Sequence, residues 1–167
     1  MKQERKRLRL GCFDYTTSKA YFVTICTHNK QKTLGNICRG DPCGLPQTTL
    51  SVLGKFAEAT MADIEIPEQI EIDKYVVMPN HIHLIVKLYA PNDSHEGCHY
   101  SLSQVMGKYK SLCTNRWLSY CKENQVEYHP VWQRSFYDHI IRNDADYEEI
   151  WRYIDENPIK WELDKYY

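Results

Sequence analysis

The sequence lacks long hydrophobic runs, an overall excess of charge and any regular spacing of its cysteines. It has no uninterrupted apolar run of about eighteen residues, the length that a membrane-spanning helix needs. No signal-peptide pattern follows the charged first residues. We therefore expect a cytoplasmic protein that does not enter a membrane. The formal net charge of −1 means that binding to nucleic acid would depend on local basic patches.

The seven cysteines are odd in number and form no C-x-x-C pair, which favours thiols in a reducing compartment over a disulfide framework. No internal repeat divides the chain. With 167 residues, 43% hydrophobic and 26% charged, the sequence predicts one domain over residues 1–167. Within it, we expect residues 1–18 to be a basic and flexible N-terminal arm, either a solvated terminus or a segment that contacts phosphate.

A histidine pair lies inside the β-branched, apolar run from residue 75 to residue 86. Side chains two positions apart in a strand point to the same side, so His81 and His83 project together while Ile82 and Leu84 fill the opposite face. Two imidazoles on one face are costly to bury without partners. The spacing fits a metal or acid–base site, with satisfied structural histidines as the alternative.

The pattern of the whole chain predicts an α+β fold. Strands are expected at 20–27, 70–78, from 81 onward and at 131–141, the last one bent or interrupted, with a short extension at 34–38. Helices are expected at 53–64, from 101 onward and from 144 to 157, and loops at 40–46 and 90–100. This order predicts a ferredoxin-like, RRM-like split βαβ sandwich. Its central antiparallel sheet carries helices on one face, and the last helix can pack near the histidine strand.

The last predicted helix carries a tyrosine and an asparagine four residues apart. Tyr153 and Asn157 share the flank of an apolar stripe, where a side chain is neither fully buried nor simply in water. The chain has thirteen tyrosines, so packing with the hydroxyl in water is the alternative for Tyr153.

Four segments together resemble the HUH single-tyrosine transposases, and most closely the REP-associated branch: 78–83 (MPNHIH), 103–111 (SQVMGKYKS), 131–142 (VWQRSFYDHIIR) and 153–158 (YIDENP). The resemblance implies that His81, His83 and Asn157 bind a divalent metal, Mg²⁺ or Mn²⁺. It also implies that Tyr153 attacks single-stranded DNA next to a hairpin and forms a 5′-phosphotyrosine link. The last helix then carries the catalytic tyrosine. Tyr137 and Tyr147 compete for the role that the resemblance implies for Tyr153, but neither has a potential ligand one turn away.

Several residues are candidates for contact with this DNA. The alternative for the basic side chains on a helix is that they only form its solvent-exposed face. Trp132 is a candidate stacking platform. His139 is either a buried structural histidine or a residue that supports the metal ligands from behind. The candidate phosphate contacts are Lys108, Lys110, Arg116, Arg134 and Arg142.

Two rival functions stay open from the sequence. A noncatalytic binder of single-stranded nucleic acid would use the same kind of sheet, expose aromatic side chains on its central strands and need no metal. A metal-dependent hydrolase with water as the nucleophile would leave no covalent adduct. The expected partner is single-stranded DNA with a hairpin, bound by a monomer or a homodimer.

Overall fold

The computed structural model describes residues 19–38, 46–64, 68–89 and 101–161. The predicted N-terminal arm, the connection at 90–100 and residues 40–45 of the predicted loop lie outside these ranges. The strands are β1 (Lys19–Cys26), β2 (Gly35–Cys38), β3 (Gln47–Leu50), β4 (Ile70–Val77), β5 (His81–Leu88) and β6 (Tyr137–Ile141). The helices are α1 (Val52–Asp63), α2 (Leu102–Asn124) and α3 (Asp144–Glu156).

Four strands form one antiparallel sheet in the order β4-β5-β1-β6. The two central strands pair so that Thr24 of β1 lies opposite His83 of β5, and Cys26 lies opposite His81. Strands β2 and β3 form a separate hairpin. The mixed α+β architecture with a central antiparallel sheet confirms the predicted fold class.

The two faces of the sheet pack against different helices. On one face, alternate residues of β1 and β5, among them Val23, Ile82 and Leu84, join buried side chains of α1 and α2 in the main core. On the other face, Ile85 packs with Ile150 and Ile154 of α3. His81 and His83 are in the same alternation as Ile85 and therefore face α3. Among the described residues, no helix is long and apolar enough to cross a membrane.

Each helix begins at a polar residue whose side chain accepts a hydrogen bond from the first turn. Ser51 accepts from Gly54 N, and Asn143 accepts from Asp146 N. Ser101 and Gln104 form the predicted capping box at the start of α2, with both reciprocal bonds present.

The predicted strand at 131–141 is wrong in its first half. Only Tyr137–Ile141 is a strand, and Trp132 makes a single bridge to Thr27. The backbone of the first half bonds to the end of β1 and the residues after it: Gln133 N donates to Cys26 O, and His28 N donates to Val131 O, both at 2.9 Å. The Nζ atom of Lys110 donates to the carbonyl oxygens of Gln133 (2.9 Å) and Ser135 (2.8 Å), so this segment is also bonded to α2. The sequence analysis also missed β3, which pairs with the predicted extension at 34–38.

The two glycines in helices form a matched pair for testing this packing. A Cβ at Gly54 would lie 1.9 Å from the Leu34 carbonyl oxygen, whereas a Cβ at Gly107 meets nothing within 4 Å. Gly54→Ala should lower the free energy of unfolding by about 1–3 kcal/mol, because the backbone of Leu34 must move. Gly107→Ala should raise it by about 0.5–1 kcal/mol through helix propensity. Urea denaturation of both variants measures the difference, and a neutral Gly54→Ala would contradict this packing.

Candidate active site

The two histidines of β5 form a buried pair. Both side chains are fully buried, and their ring centroids lie 4.4 Å apart. Strand alternation alone points both rings toward α3, as the sequence predicts. Their ring nitrogens therefore lie between the sheet and α3.

His81 is oriented by two neighbours that fix its ring. The carboxamide oxygen of Asn80 lies 2.8 Å from Nδ1, so Nδ1–H donates to it and the lone pair is on Nε2. The ring of Trp161 stacks on the imidazole with centroids 5.9 Å apart and planes 27° apart. His81 Nε2 is itself buried and has the protonation suited to a metal ligand.

His83 lies between a threonine on the neighbouring strand and the tyrosine of α3. Its Nδ1 is 2.9 Å from the hydroxyl of Thr24, which is 2% exposed. Its Nε2 is 3.4 Å from the hydroxyl oxygen of Tyr153. The rings of His83 and Tyr153 are also in contact, with centroids 5.2 Å apart. The structure thus brings the predicted nucleophile to the predicted metal ligand.

Tyr153 and Asn157 have opposite exposure although they are one helical turn apart. Tyr153 is 37% exposed, and its ring meets the edge of Phe22 at a centroid distance of 5.9 Å. Asn157 is 2% exposed, its Oδ1 atom is buried, and its backbone keeps the helical conformation as the C-cap of α3. Asn157 lies in the chain between Tyr153, which contacts His83, and Trp161, which contacts His81. The helix end is therefore held against both histidines.

Polar contacts from β4 fix the position of α3 on the sheet. A β-bulge between Ile72 and Lys74 lets Asp73 and Lys74, neighbours in the chain, both reach α3. Lys74 Nζ lies 2.5 Å from Asp155 and 4.1 Å from the ring centroid of Trp151. Asp73 accepts a hydrogen bond from the hydroxyl of Tyr147.

The environment of Tyr147 argues against this residue as the nucleophile. Burial, together with the hydrogen bond to the Asp73 carboxylate and its negative charge, raises the pKa of Tyr147 well above its usual range. Asp73 also pairs with Lys87 at 3.0 Å. A phenol held in this way is less easily ionised than an ordinary tyrosine, so Tyr147 is an anchor of α3.

Comparisons with known proteins agree with this geometry. The family model described as "Transposase IS200 like" matches residues 51–157. The chain belongs to the IS200-like transposase family. An uncharacterised protein of Haemophilus influenzae is 32% identical over 178 residues, covering 98% of this chain and 93% of that protein. A second protein of that organism, provisionally named a REP-associated tyrosine transposase, is 30% identical over 89 residues, covering 50% of this chain and 47% of its own length.

A solved structure shares the fold. The REP-associated tyrosine transposase bound to a REP hairpin superposes with a TM-score of 0.63 at 22% identity, covering 94% of this chain and 76% of that chain. This match and the family model confirm the resemblance on which the sequence analysis relied. Membership of a transposase family indicates a DNA-cleaving enzyme.

Three of the residues that the sequence predicts to contact DNA make contacts with other residues of the protein. Lys110 bonds to backbone carbonyls of the segment before β6. Arg116 joins α2 to α1 through Asp63 (3.0 Å) and the hydroxyl of Thr60 (3.2 Å). Trp132 is half-buried beside Tyr109, with ring centroids 5.9 Å apart. These contacts give the three residues structural roles, and their contact with DNA stays a prediction.

The other predicted DNA contacts, Lys108, Arg134 and Arg142, are exposed. Lys108 is on α2, across the sheet from the histidines, whereas Arg142 is at the start of α3. The sequence analysis missed Lys32, whose Nζ lies 5.5 Å from the ring centroid of Trp161, the residue that stacks on His81. Its position after β1 gives no sequence signal, because the contact depends on the tertiary fold.

His139 is not a buried structural histidine. Its side chain is 51% exposed, and Nε2 lies 3.0 Å from the Asp146 carboxylate at the start of α3. Burial tends to raise the pKa of Asp146, but hydrogen bonds from His139 and from the Arg142 backbone outweigh it and leave this pKa lowered. His139 therefore supports the N-terminus of α3, at the end of the helix away from Tyr153.

The donors around the histidines fit a metal only if an amide takes part. Among the residues that the structure describes, no group of three histidine, cysteine, aspartate or glutamate side chains is arranged to hold an ion. His81 and His83 supply two ring nitrogens, and the buried Oδ1 of Asn157 is the predicted third donor. Two imidazole nitrogens and one neutral oxygen form a mixed donor set that suits Mn²⁺ better than Mg²⁺, and the metal that the resemblance implies stays a prediction.

The pair of His139 and Asp146 gives a pH-dependent test. Because the pKa of Asp146 is lowered in the folded protein, the carboxylate stabilises the fold above its ordinary pKa of 3.8, and this contribution is lost as the pH falls through the lowered value. Asp146→Asn should lower the free energy of unfolding at pH 7 by less than about 1 kcal/mol, since the pair is exposed. The difference from the wild-type protein should disappear in acid. Urea denaturation of both proteins at pH 7 and in acid measures the free energy of unfolding. A difference between the two proteins that grows in acid would contradict the stabilising role of the ionised Asp146.

Proposed function

We propose that this protein is a metal-dependent transposase that cleaves and rejoins single-stranded DNA beside a hairpin, through a covalent link to Tyr153. The observation that carries the proposal is the contact of 3.4 Å between the hydroxyl oxygen of Tyr153 and Nε2 of His83. It joins an exposed nucleophile to a buried pair of metal-ligand side chains. Of the three tyrosines considered from the sequence, Tyr153 alone combines this contact with an asparagine one turn later.

The proposed reaction exchanges one phosphodiester bond for another. The Tyr153 hydroxyl loses its proton to solvent and its oxygen attacks phosphorus. The bond from phosphorus to the 3′ oxygen breaks, and that oxygen takes up a proton to become a 3′-hydroxyl. The 5′-phosphotyrosine keeps the energy of the bond, so a 3′-hydroxyl at a new junction can reverse the step without a nucleotide cofactor.

A phenol with an ordinary pKa of about 10 needs assistance to react at neutral pH. His81 and His83 through Nε2, and Asn157 through Oδ1, would hold Mg²⁺ or Mn²⁺ beside the Tyr153 hydroxyl. A divalent cation there supplies a Lewis acid that polarises the phosphate and offsets negative charge in the transition state. The protein itself contributes fixed ring orientations and a buried donor set, both of which reduce the reorganisation needed on binding.

The proposed substrate is hairpin DNA with a flanking single strand, and the similar solved transposase is bound to a REP hairpin. Lys32 and Arg142 are the proposed phosphate contacts on the side of α3, because Lys32 lies over the ring of Trp161 and Arg142 lies just before α3. Lys108 and Arg134 are exposed and stay candidates. His81, His83, Tyr153 and Asn157 belong to one chain and one sheet face. We therefore propose that a monomer suffices for cleavage, and that a homodimer would contain two separate sites.

The noncatalytic alternative fits the described residues less well. It needs exposed aromatic rings on the central strands, whereas Tyr21 of β1 is fully buried and Phe22 packs against His83 and Tyr153. The positions that would carry such rings on β5 carry the two histidines.

A denaturant-stable adduct with labelled hairpin DNA tests the covalent step. Wild-type protein with Mn²⁺ should form the adduct, and Tyr153→Phe should form none, because the attacking oxygen is gone. Tyr137→Phe is the matched control, because it removes one phenol hydroxyl and should keep the adduct. Gel electrophoresis under denaturing conditions measures it. Cleavage that persists in Tyr153→Phe would show that water is the nucleophile, and binding without cleavage by the wild-type protein would favour the noncatalytic binder.

Removal of the metal or of one ligand tests the proposed donor set. Chelation should abolish the adduct, and addition of Mn²⁺ or Mg²⁺ should restore it. His81→Ala should weaken Mn²⁺ binding by more than about 100-fold, beyond the loss typical for residues that only orient a ligand. His139→Ala removes an imidazole on the same sheet face and should bind Mn²⁺ like the wild-type protein. Electron paramagnetic resonance of Mn²⁺ measures both, and equal affinities would refute the assignment.

A further inference from the structure

The two histidines differ in the group that faces Nδ1. Asn80 presents a carboxamide oxygen to His81 at 2.8 Å, whereas Thr24 presents a hydroxyl to His83 at 2.9 Å. All four residues are at most 2% exposed. Bulk water therefore cannot readily replace either partner.

The chemistry of the two partners is not equivalent. A carboxamide oxygen only accepts a hydrogen bond, so it holds His81 with the proton on Nδ1. A threonine hydroxyl can donate or accept, so it is compatible with a proton on either nitrogen of His83. Metal binding through Nε2 requires the proton on Nδ1, where the partner must then accept. His81 is thus preset for a metal, while His83 is adjustable.

The backbone fixes the position of Thr24. It lies directly opposite His83 in the pairing of β1 with β5 and also opposite Tyr137 in the pairing of β1 with β6. A residue paired on both sides in the centre of a sheet has little freedom to move away. Its hydroxyl is therefore a fixed reference for the His83 ring, on the side away from Tyr153.

We propose that Thr24 is a positioning residue for His83: it accepts the Nδ1 proton and so directs the lone pair of Nε2 toward the space shared with Tyr153 and His81. This inference rests on the proposed function, because it assigns Thr24 a role in holding the divalent cation. It adds a residue of β1 to a site otherwise built from β5 and α3.

The test compares Thr24→Val, which keeps the β-branched shape but removes the hydroxyl, with Thr24→Ser, which keeps the hydroxyl. Mn²⁺ alone is the probe, followed by electron paramagnetic resonance. Thr24→Val should weaken Mn²⁺ binding by about 10–100-fold, the range typical for loss of a partner behind a metal-bound histidine. Thr24→Ser should restore most of the affinity. Thr60→Val, a buried threonine of α1 on the other side of the sheet, is the control and should bind Mn²⁺ normally.

Nitrogen NMR of the histidine rings in the wild-type protein tests the same idea without a variant that could fail to fold. His81 should carry its proton on Nδ1 with and without Mg²⁺. His83 should exchange between its two neutral forms without Mg²⁺ and carry the proton on Nδ1 when Mg²⁺ is bound. A proton on Nε2 of His83 in the Mg²⁺-bound protein would overturn the proposal, as would unchanged Mn²⁺ affinity in folded Thr24→Val.

These readouts separate this inference from the proposed function. If the wild-type protein binds Mn²⁺ and responds to Thr24→Val but forms no DNA adduct, the covalent mechanism fails while the role of Thr24 stands. If the adduct forms and Thr24→Val binds Mn²⁺ normally, the role of Thr24 fails while the mechanism stands. Absence of Mn²⁺ binding by the wild-type protein overturns the role of Thr24 directly.

Discussion

The attachment of α3 to the second face of the sheet is the constraint on which the candidate site depends. The main core, with α1 and α2, lies on the other face, and its described members include no residue of α3. The second core is small: its buried members in the described part of the chain are Ile85, Ile150 and Ile154. Burial of such side chains contributes about 1.5–3 kcal/mol each, more than the roughly 0–1 kcal/mol of an exposed ion pair. Apolar burial thus holds α3 on the sheet.

Apolar burial is not directional, so the rotation of α3 about its axis needs other contacts. The bulge in β4 supplies them, because Asp73 bonds to Tyr147 and Lys74 contacts both Asp155 and Trp151. A rotation by one residue, about 100°, would break these contacts and move Tyr153 away from His83. The weak polar contacts therefore decide the geometry of the site, although they contribute little to its stability.

Periodicity was sufficient to predict the elements that carry the site but not every contact between them. Period-two alternation places His81 and His83 on one face, and helical spacing places Tyr153 near Asn157, because both depend only on local geometry. The bulge at Asp73 has no signal in the run from Ile70 to Val77, and the contact of Trp161 with His81 joins residues distant in the chain. The contacts of Lys110, Arg116 and Trp132 within the protein could not be predicted for the same reason, because each joins residues that are distant in the chain.

The difference in exposure between Tyr153 and Asn157 follows from the position of the helix end and suits the proposed chemistry. A nucleophile must be reached by a large substrate, whereas the attraction between a ligand dipole and a cation is stronger where the local dielectric is low. Tyr153 is at the rim of the contact with the sheet, and Asn157, one turn later, is beneath the C-terminal end of α3 where Trp161 covers His81. Within one helical turn, the side chains thus change from exposed at Tyr153 to buried at Asn157. A DNA phosphate can therefore reach the tyrosine from outside without opening the core that orients the ligands.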